Sequence, residues 1–271
     1  MRKKLLILEI LFIIIASASG KDYHRELIYK QVNENPLVLR VYHPLLKPQE
    51  VTPALVMFFG GGWKSGNLCA FTHFAERYMQ KGIAVVLIEY RTESVHGTTP
   101  IESLKDAKSA MRYLNAHADE LYIDKDRIIA GGGSAGGHLA AACWTNDNIN
   151  EDTDDLTVSA KPKALILLNA VIDNGPDGYG YDRIMSYYPD FSPIDNIKPG
   201  FPPTTFHLGT NDNLIPVSTG QLFKQRIEAA GGRCDLHLYE DGIHGFFYQE
   251  PYKTQVFDSV DQFLISLNYI K

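Results

Sequence analysis

The stretch Ala130–Ala141, "AGGGSAGGHLAA", sets five glycines around Ser134, directly after the apolar run "RIIA" and ahead of a helix-forming segment. Glycine costs backbone entropy, so a cluster this dense marks a turn that side chains would block. Two chemistries use such a turn: a phosphate cradle at a helix N-terminus, and a strained strand-to-helix elbow that presents a nucleophile. The P-loop pattern G-x-x-x-x-G-K-[ST] fails, because no lysine takes the required place. The dinucleotide pattern G-x-G-x-x-G is met by Gly131, Gly133 and Gly136. That motif, however, opens the first βα unit of its domain and calls for an acid at the end of the next strand. Here the segment is a middle strand, and the nearby acids Glu151–Asp155 follow polar loop residues. The pattern G-x-S-x-G, Gly132–Gly136, fits an elbow in which Ser134 takes strained backbone angles at the start of a helix.

The surrounding pattern agrees with that placement. "ALVMFF" (Ala54–Phe59), "AVVLIEY" (Ala84–Tyr90), "RIIAGG" (Arg127–Gly132) and "ALILLNAV" (Ala164–Val171) are short continuous apolar runs. Such runs suit parallel strands covered on both faces. "LVLRVYHP", Leu37–Pro44, alternates instead and reads as a half-buried edge strand. Between the runs lie helical periods. In Thr98–Leu114, apolar residues recur at 101, 104, 107, 111 and 114, behind a capping box from Thr99 to Glu102 with Pro100 at the first helical position. Ser218 and Gln221 repeat that relation before a helix that stops at the pair Gly231-Gly232. Strand–helix alternation implies a doubly wound, mostly parallel α/β sheet with helices on both faces. The irregular stretch 173–203, rich in proline, glycine and tyrosine, reads as an insertion after the sixth strand that lies over the sheet's carboxyl edge.

A nucleophilic serine needs partners. "FFGGGW", Phe58–Trp63, ends a strand two elements before the elbow, where its glycines can turn backbone N–H groups toward a developing alkoxide. Asp212 stands on the exit loop of another strand, in "HLGTNDNLIPV", 78 residues after Ser134. His244 follows a further strand in "LYEDGIHGFF", 32 residues later. The order Ser, Asp, His, each on a post-strand loop, is the α/β-hydrolase arrangement. Asp173 is the rival acid at a strand end, and Asp241 is too close to His244 in sequence to reach its ring. His138, one helical turn past Ser134, reads as a packed helix residue; His207 lies within a strand and His96 in a loop.

Together, "FFGGGW", "EYR", "GGGSAGGHLAA", "GTNDNLIPV" and "DGIHGFF" resemble the hormone-sensitive-lipase-like esterases of the α/β-hydrolase fold. They are closest to the secreted bacterial branch that removes acetyl and feruloyl groups from carbohydrates. The resemblance covers Tyr29 to Lys271 and implies Ser134 as nucleophile, with Asp212 and His244 as its partners. It implies the N–H groups of Gly61, Gly62 and Ala135 as the oxyanion hole. One position departs: Phe59 stands where that family carries the histidine of its HGGG loop. No large cap follows, so a shallow cleft and short acyl groups, acetyl above all, are expected. Trp63 and Phe246 are expected to border the acyl side, with Tyr179, Tyr181, Tyr187 and Tyr188 facing a sugar ring. A peptidase of this fold or a non-catalytic binding relative are the alternatives; peptidases usually add a gating domain and binding relatives usually lose a triad residue.

Composition sets the outer limits. At 271 residues and 45% hydrophobic, the chain can bury the core of one large domain. "MRKK", the apolar run Leu5–Ile15 and Ala16-Ser17-Ala18 form a leader with an A-x-A cleavage signature. On this reading residues 1–18 are expected to be a signal peptide, with an uncleaved anchor as the alternative, and 19–271 one α/β-hydrolase domain that is secreted or periplasmic. Losing Arg2, Lys3, Lys4 and Glu9 moves the net charge from −6 to −8. That balance disfavours nucleic acid or an anionic membrane as partner and leaves a neutral small-molecule or oligosaccharide ester as substrate. Cys69, Cys143 and Cys234 form no metal-ligand pattern and read as small apolar residues; no metal or other cofactor is expected.

Overall fold

The computed structural model describes residues 24–44 and 50–271; the leader and its cleavage signature lie outside them. The chain runs through β1 (His24–Val32), β2 (Asn35–Tyr42), β3 (Thr52–Phe58), helix α1 (Thr72–Tyr78), β4 (Ala84–Ile88) and a single helical turn α2 (Glu93–His96). It continues through α3 (Pro100–Ala116), β5 (Ile123–Gly133), α4 (Ala135–Thr145) and β6 (Ala164–Leu168). After the irregular stretch 169–203 come β7 (Thr204–Gly209), α5 (Val217–Ala229), β8 (Cys234–Tyr239) and α6 (Tyr252–Ser266). The strands form one sheet in the order β1-β2-β4-β3-β5-β6-β7-β8. β3 to β8 run parallel, and β2 pairs antiparallel with both β1 and β4.

The continuous apolar runs are buried on both faces for the reason the pattern suggested. Along β3, Val56 and Phe58 join the core beneath α3, α4 and α5, whereas Leu55 and Met57 join a second core beneath α1 and α6. The alternation of side chains along a strand thus feeds two layers from one sheet. The edge is corrected by one strand: β2 carries the alternating pattern, but β1 covers it, so β1 is the edge. Helix α3 opens as expected. Thr99 Oγ1 accepts from the Ile101 N–H at 3.3 Å, and Glu102 accepts from the Thr99 N–H at 2.8 Å. Helix α5 does not, because it already begins at Val217 with Pro216 at the cap, which leaves Ser218 inside the first turn.

The strand order reverses between β3 and β5, whose neighbours lie on opposite sides. At such a switch point the loops leaving the two strands diverge and open a crevice at the carboxyl ends. Phe58 pairs with Gly132, so the loop after β3 and the elbow after β5 leave the sheet side by side. Among the described residues no helix is long and apolar enough to cross a membrane. All three cysteines are unpaired; Cys143 and Cys234 are buried as expected, whereas Cys69 is exposed and accepts from Arg40 Nη1.

Candidate active site

Ser134 sits at the first turn of α4 with φ 52° and ψ −119°, a conformation that costs a non-glycine residue on the order of 1–3 kcal/mol. The glycines around it are there for closeness. A Cβ at Gly136 would lie 2.0 Å from the Phe58 carbonyl oxygen, and one at Gly132 would lie 2.4 Å from the same atom. Any side chain at either position would push the elbow off the end of β3. The Ser134 N–H donates to the Leu168 carbonyl, which stitches the elbow to β6 as well.

The three residues named from sequence are brought into one hydrogen-bonded line. Ser134 Oγ lies 3.0 Å from His244 Nε2, and His244 Nδ1 lies 2.8 Å from Asp212 Oδ2. The second carboxylate oxygen accepts from the N–H groups of Leu214 and Ile215 at 2.8 and 2.9 Å. Burial works to raise the Asp212 pKa, but the bonds from His244 and these two N–H groups outweigh it and hold the carboxyl below its usual value. It is therefore an acceptor at neutral pH, and the proton it orders sits on Nδ1. That leaves the Nε2 lone pair facing Ser134. Asp173 is not in this line: it lies five residues past β6 and its carboxylate closes a local turn onto the Gly175 N–H.

Gly61 and Gly62 have φ of +121° and +63°, and a Cβ at Gly61 would lie 2.0 Å from the Ser65 carbonyl oxygen. Among the described residues, the N–H groups of Gly61, Gly62 and Ala135 donate to no other part of the chain. Ala135 is the first residue of α4, where the helix dipole favours negative charge. The place of the missing loop histidine is taken by an aromatic pair. The Phe59 ring stacks on Tyr90 at 4.0 Å, and Tyr90 Oη donates to the Phe59 carbonyl at 2.7 Å, both inside the protein. Gly66 completes the support, since a Cβ there would fall 2.0 Å from the Phe59 ring. The register of β3 against β4 brings the two together, because Phe58 pairs with Ile88.

The insertion reaches this loop too. Arg183 Nη1 donates to the Gly62 carbonyl at 2.6 Å, and its guanidinium covers the Trp63 ring at 5.2 Å. Tyr179 is half-buried, and a Cβ at Gly62 would lie 2.8 Å from its hydroxyl; Tyr181 is also half-buried and meets Tyr188 edge-on. Trp63 and Phe246 are corrected: they are 0% and 1% exposed, so neither offers a surface to a cleft. Trp63 fills the space between His138, Tyr179 and Phe191, and Phe246 packs on Tyr239 and Tyr252. His138 is fully buried, as expected of a packed residue, and donates from Nε2 to the Phe191 carbonyl at 2.8 Å. His207 is likewise buried within β7, while His96 ends α2 rather than lying in a loop. No group of three or more metal-ligating side chains exists among the described residues.

Residues 39–180 match the BD-FAE family, and residues 173–262 match the dienelactone hydrolase family. A probable carboxylic ester hydrolase, LipM, of Mycobacterium tuberculosis is 30% identical over 198 residues, which is 65% of this chain and 44% of that protein. An acetylxylan esterase of Xylanibacter ruminicola is 25% identical over 80% of this chain and 45% of its own. The chain thus spans about half the length of these two relatives. A thermophilic esterase of Thermogutta terrifontis superposes with a TM-score of 0.87 at 33% identity, over 92% of this chain and 94% of that one. That esterase has been seen with propionate bound, with butyrate bound, and phosphonylated by sarin.

Proposed function

Because this chain belongs to the BD-FAE family of α/β-hydrolase esterases, we propose that it is a serine carboxylesterase that removes short acyl groups, acetyl above all, from carbohydrates outside the cytoplasm. The observation that carries the reading is the line Ser134–His244–Asp212 set beside three unengaged N–H groups. In the reaction it supports, Ser134 Oγ attacks the ester carbonyl while its proton passes to His244 Nε2. The carbonyl oxygen becomes an alkoxide held by the N–H groups of Gly61, Gly62 and Ala135. Collapse of that intermediate breaks the bond to the alcohol, which takes the proton from Nε2 and leaves an acyl group on Ser134. Water then repeats the sequence and releases the carboxylic acid. Asp212 keeps its negative charge throughout and stabilises the imidazolium.

The substrate assignment rests on the site's borders. With Trp63 and Phe246 buried, the half-buried Tyr179 against Gly62 and the half-buried Tyr181 against Tyr188 are the aromatic faces assigned to the substrate. Flat rings with polar rims suit a sugar. The acetylxylan esterase among the relatives and the propionate and butyrate held by the Thermogutta esterase point the same way. Export rests on the N-terminal leader pattern. The test compares nitrophenyl acetate, nitrophenyl octanoate, a feruloyl ester and acetylated xylo-oligosaccharides. Acetate is expected to outpace octanoate, since an added methylene gains about 0.8 kcal/mol only where it is buried. Faster octanoate turnover would contradict the short-acyl assignment, and inactivity on every acetylated sugar would remove the carbohydrate.

A further inference from the structure

Asn169, the residue directly after β6, touches the catalytic base, and neither the triad nor the oxyanion hole accounts for it. It is 1% exposed and has φ of +36°, in the left-handed region that asparagine tolerates better than most residues. Its backbone N–H donates to the His207 carbonyl, which fixes it between β6 and β7. Its side chain makes two contacts. Oδ1 accepts from the Gly245 N–H at 3.2 Å, and Nδ2 lies 3.3 Å from His244 Nε2.

The first contact decides the orientation of the second. A backbone N–H can only donate, so the amide atom facing Gly245 is the oxygen, and the NH2 faces the imidazole. An NH2 group can only donate in turn, so Nε2 is the acceptor here too, its one lone pair shared between this longer contact and the 3.0 Å contact with Ser134 Oγ. Asn169 therefore selects the same tautomer from one side of the ring that Asp212 selects from the other. It also opposes the next state. Once Nε2 carries the proton taken from Ser134, two N–H donors face each other, and the proton is pressed onward to the leaving oxygen.

We propose that Asn169 is a positioning residue that holds His244 as a proton acceptor at Nε2 and shortens the life of its protonated form. The inference rests on the serine-esterase reading above. Four elements meet His244: the elbow brings Ser134, the exit of β6 brings Asn169, the exit of β7 brings Asp212, and its own loop brings Asp241. Of the two carboxylates, Asp212 is bonded to the ring, whereas Asp241 is turned to Asn211. The amide is thus the neutral counterweight to Asp212.

Asn169→Asp separates the two contacts. It keeps an acceptor for the Gly245 N–H and replaces the NH2 with a carboxylate oxygen that favours the imidazolium. Asn169→Gly removes both contacts and suits the positive φ. The acid limb of the kcat/KM profile reports the base in the free enzyme. In Asn169→Asp that limb is expected to move upward by about one pH unit or more, as an opposite charge at this range does. In Asn169→Gly it is expected to move upward by less, with kcat lowered and KM little changed. A limb that stays in place in both variants would overturn the proposal whatever activity is lost, and a loss confined to Asn169→Gly would then be explained by the anchoring of Gly245 alone. Ser134→Ala run beside them tells the two failures apart: activity that survives there brings down the serine-esterase reading and this inference with it, whereas an inactive Ser134→Ala beside two unmoved limbs brings down this inference alone.

Discussion

The elbow Gly131–Gly137 and the insertion 173–203 both close on the glycine loop beside Ser134, and they hold their shapes by opposite means. The elbow is fixed by backbone in contact with backbone; at Gly132 and Gly136 a single added carbon would strike the Phe58 carbonyl. The insertion is fixed by side chains reaching across gaps. Asn174 donates to the Tyr179 carbonyl, Asn196 to those of Pro189 and Ser192, and Arg183 to that of Gly62. A structure of the first kind admits almost no change in sequence. One of the second kind can exchange its partners while the chemistry beneath it stays the same. Under the proposed function, reaction type belongs to the elbow and choice of alcohol to the insertion.

The largest way to break this division is to move the acid. Asp212→Asn should lower kcat by about four orders of magnitude, as the loss of tautomer control does in the best-studied triad. Asp173→Asn, on the insertion, should change kcat by a few-fold at most, because that carboxylate serves a turn. A steady-state comparison of the two variants decides it, and a reversed ranking would move catalytic work into the insertion.

A smaller effect probes the seam between the two regions. His138 lies on α4 one turn beyond Ser134, and its ring stacks on Phe191 of the insertion at 4.2 Å. Burial pushes its pKa down to about 3, against the Phe191 carbonyl that favours the proton. The unfolded chain binds that proton near pH 6.5, so between about 6.5 and 3 it holds more protons than the folded one. Stability must therefore fall as pH drops through that window, by at most about 1.4 kcal/mol per pH unit for one such group. His138→Gln keeps a donor for Phe191 and removes the titration. Urea midpoints at pH 7, 6 and 5 should fall less steeply in the variant than in the parent. The half-buried His73 and the buried His207 are also pushed down, so a residual slope is expected. An unchanged slope would detach His138 from the acid sensitivity of the seam.

The elbow was readable in detail from the sequence and the insertion only in its place after β6, for the same physical reason that separates them. A turn that excludes side chains must be written in glycine, and loops that end parallel strands fall at predictable places, so Ser134, Asp212 and His244 could be found from local pattern alone. Trp63 was misread because burial depends on what arrives over it, and Phe191 and Tyr179 come from over a hundred residues away. The support for the glycine loop was hidden similarly, although the apolar run ending in Tyr90 lies beside the run ending in Phe59 once the strands are paired. Asn169 carried one usable sign, a carboxamide placed directly after an apolar strand. The misplaced edge strand came from taking alternation to mean an outer position, when β2 is half-covered by helices and flanked by β1.

The central claim is that Ser134 forms the acyl-enzyme. It is tested most directly by treating the protein with paraoxon, digesting it and locating the adduct by mass spectrometry. The predicted result is one phosphorylated peptide containing Ser134, with ester hydrolysis lost in proportion and no labelling of Ser134→Ala. Full inactivation with the adduct on another residue, or labelling of Ser134 that leaves hydrolysis intact, would contradict the account.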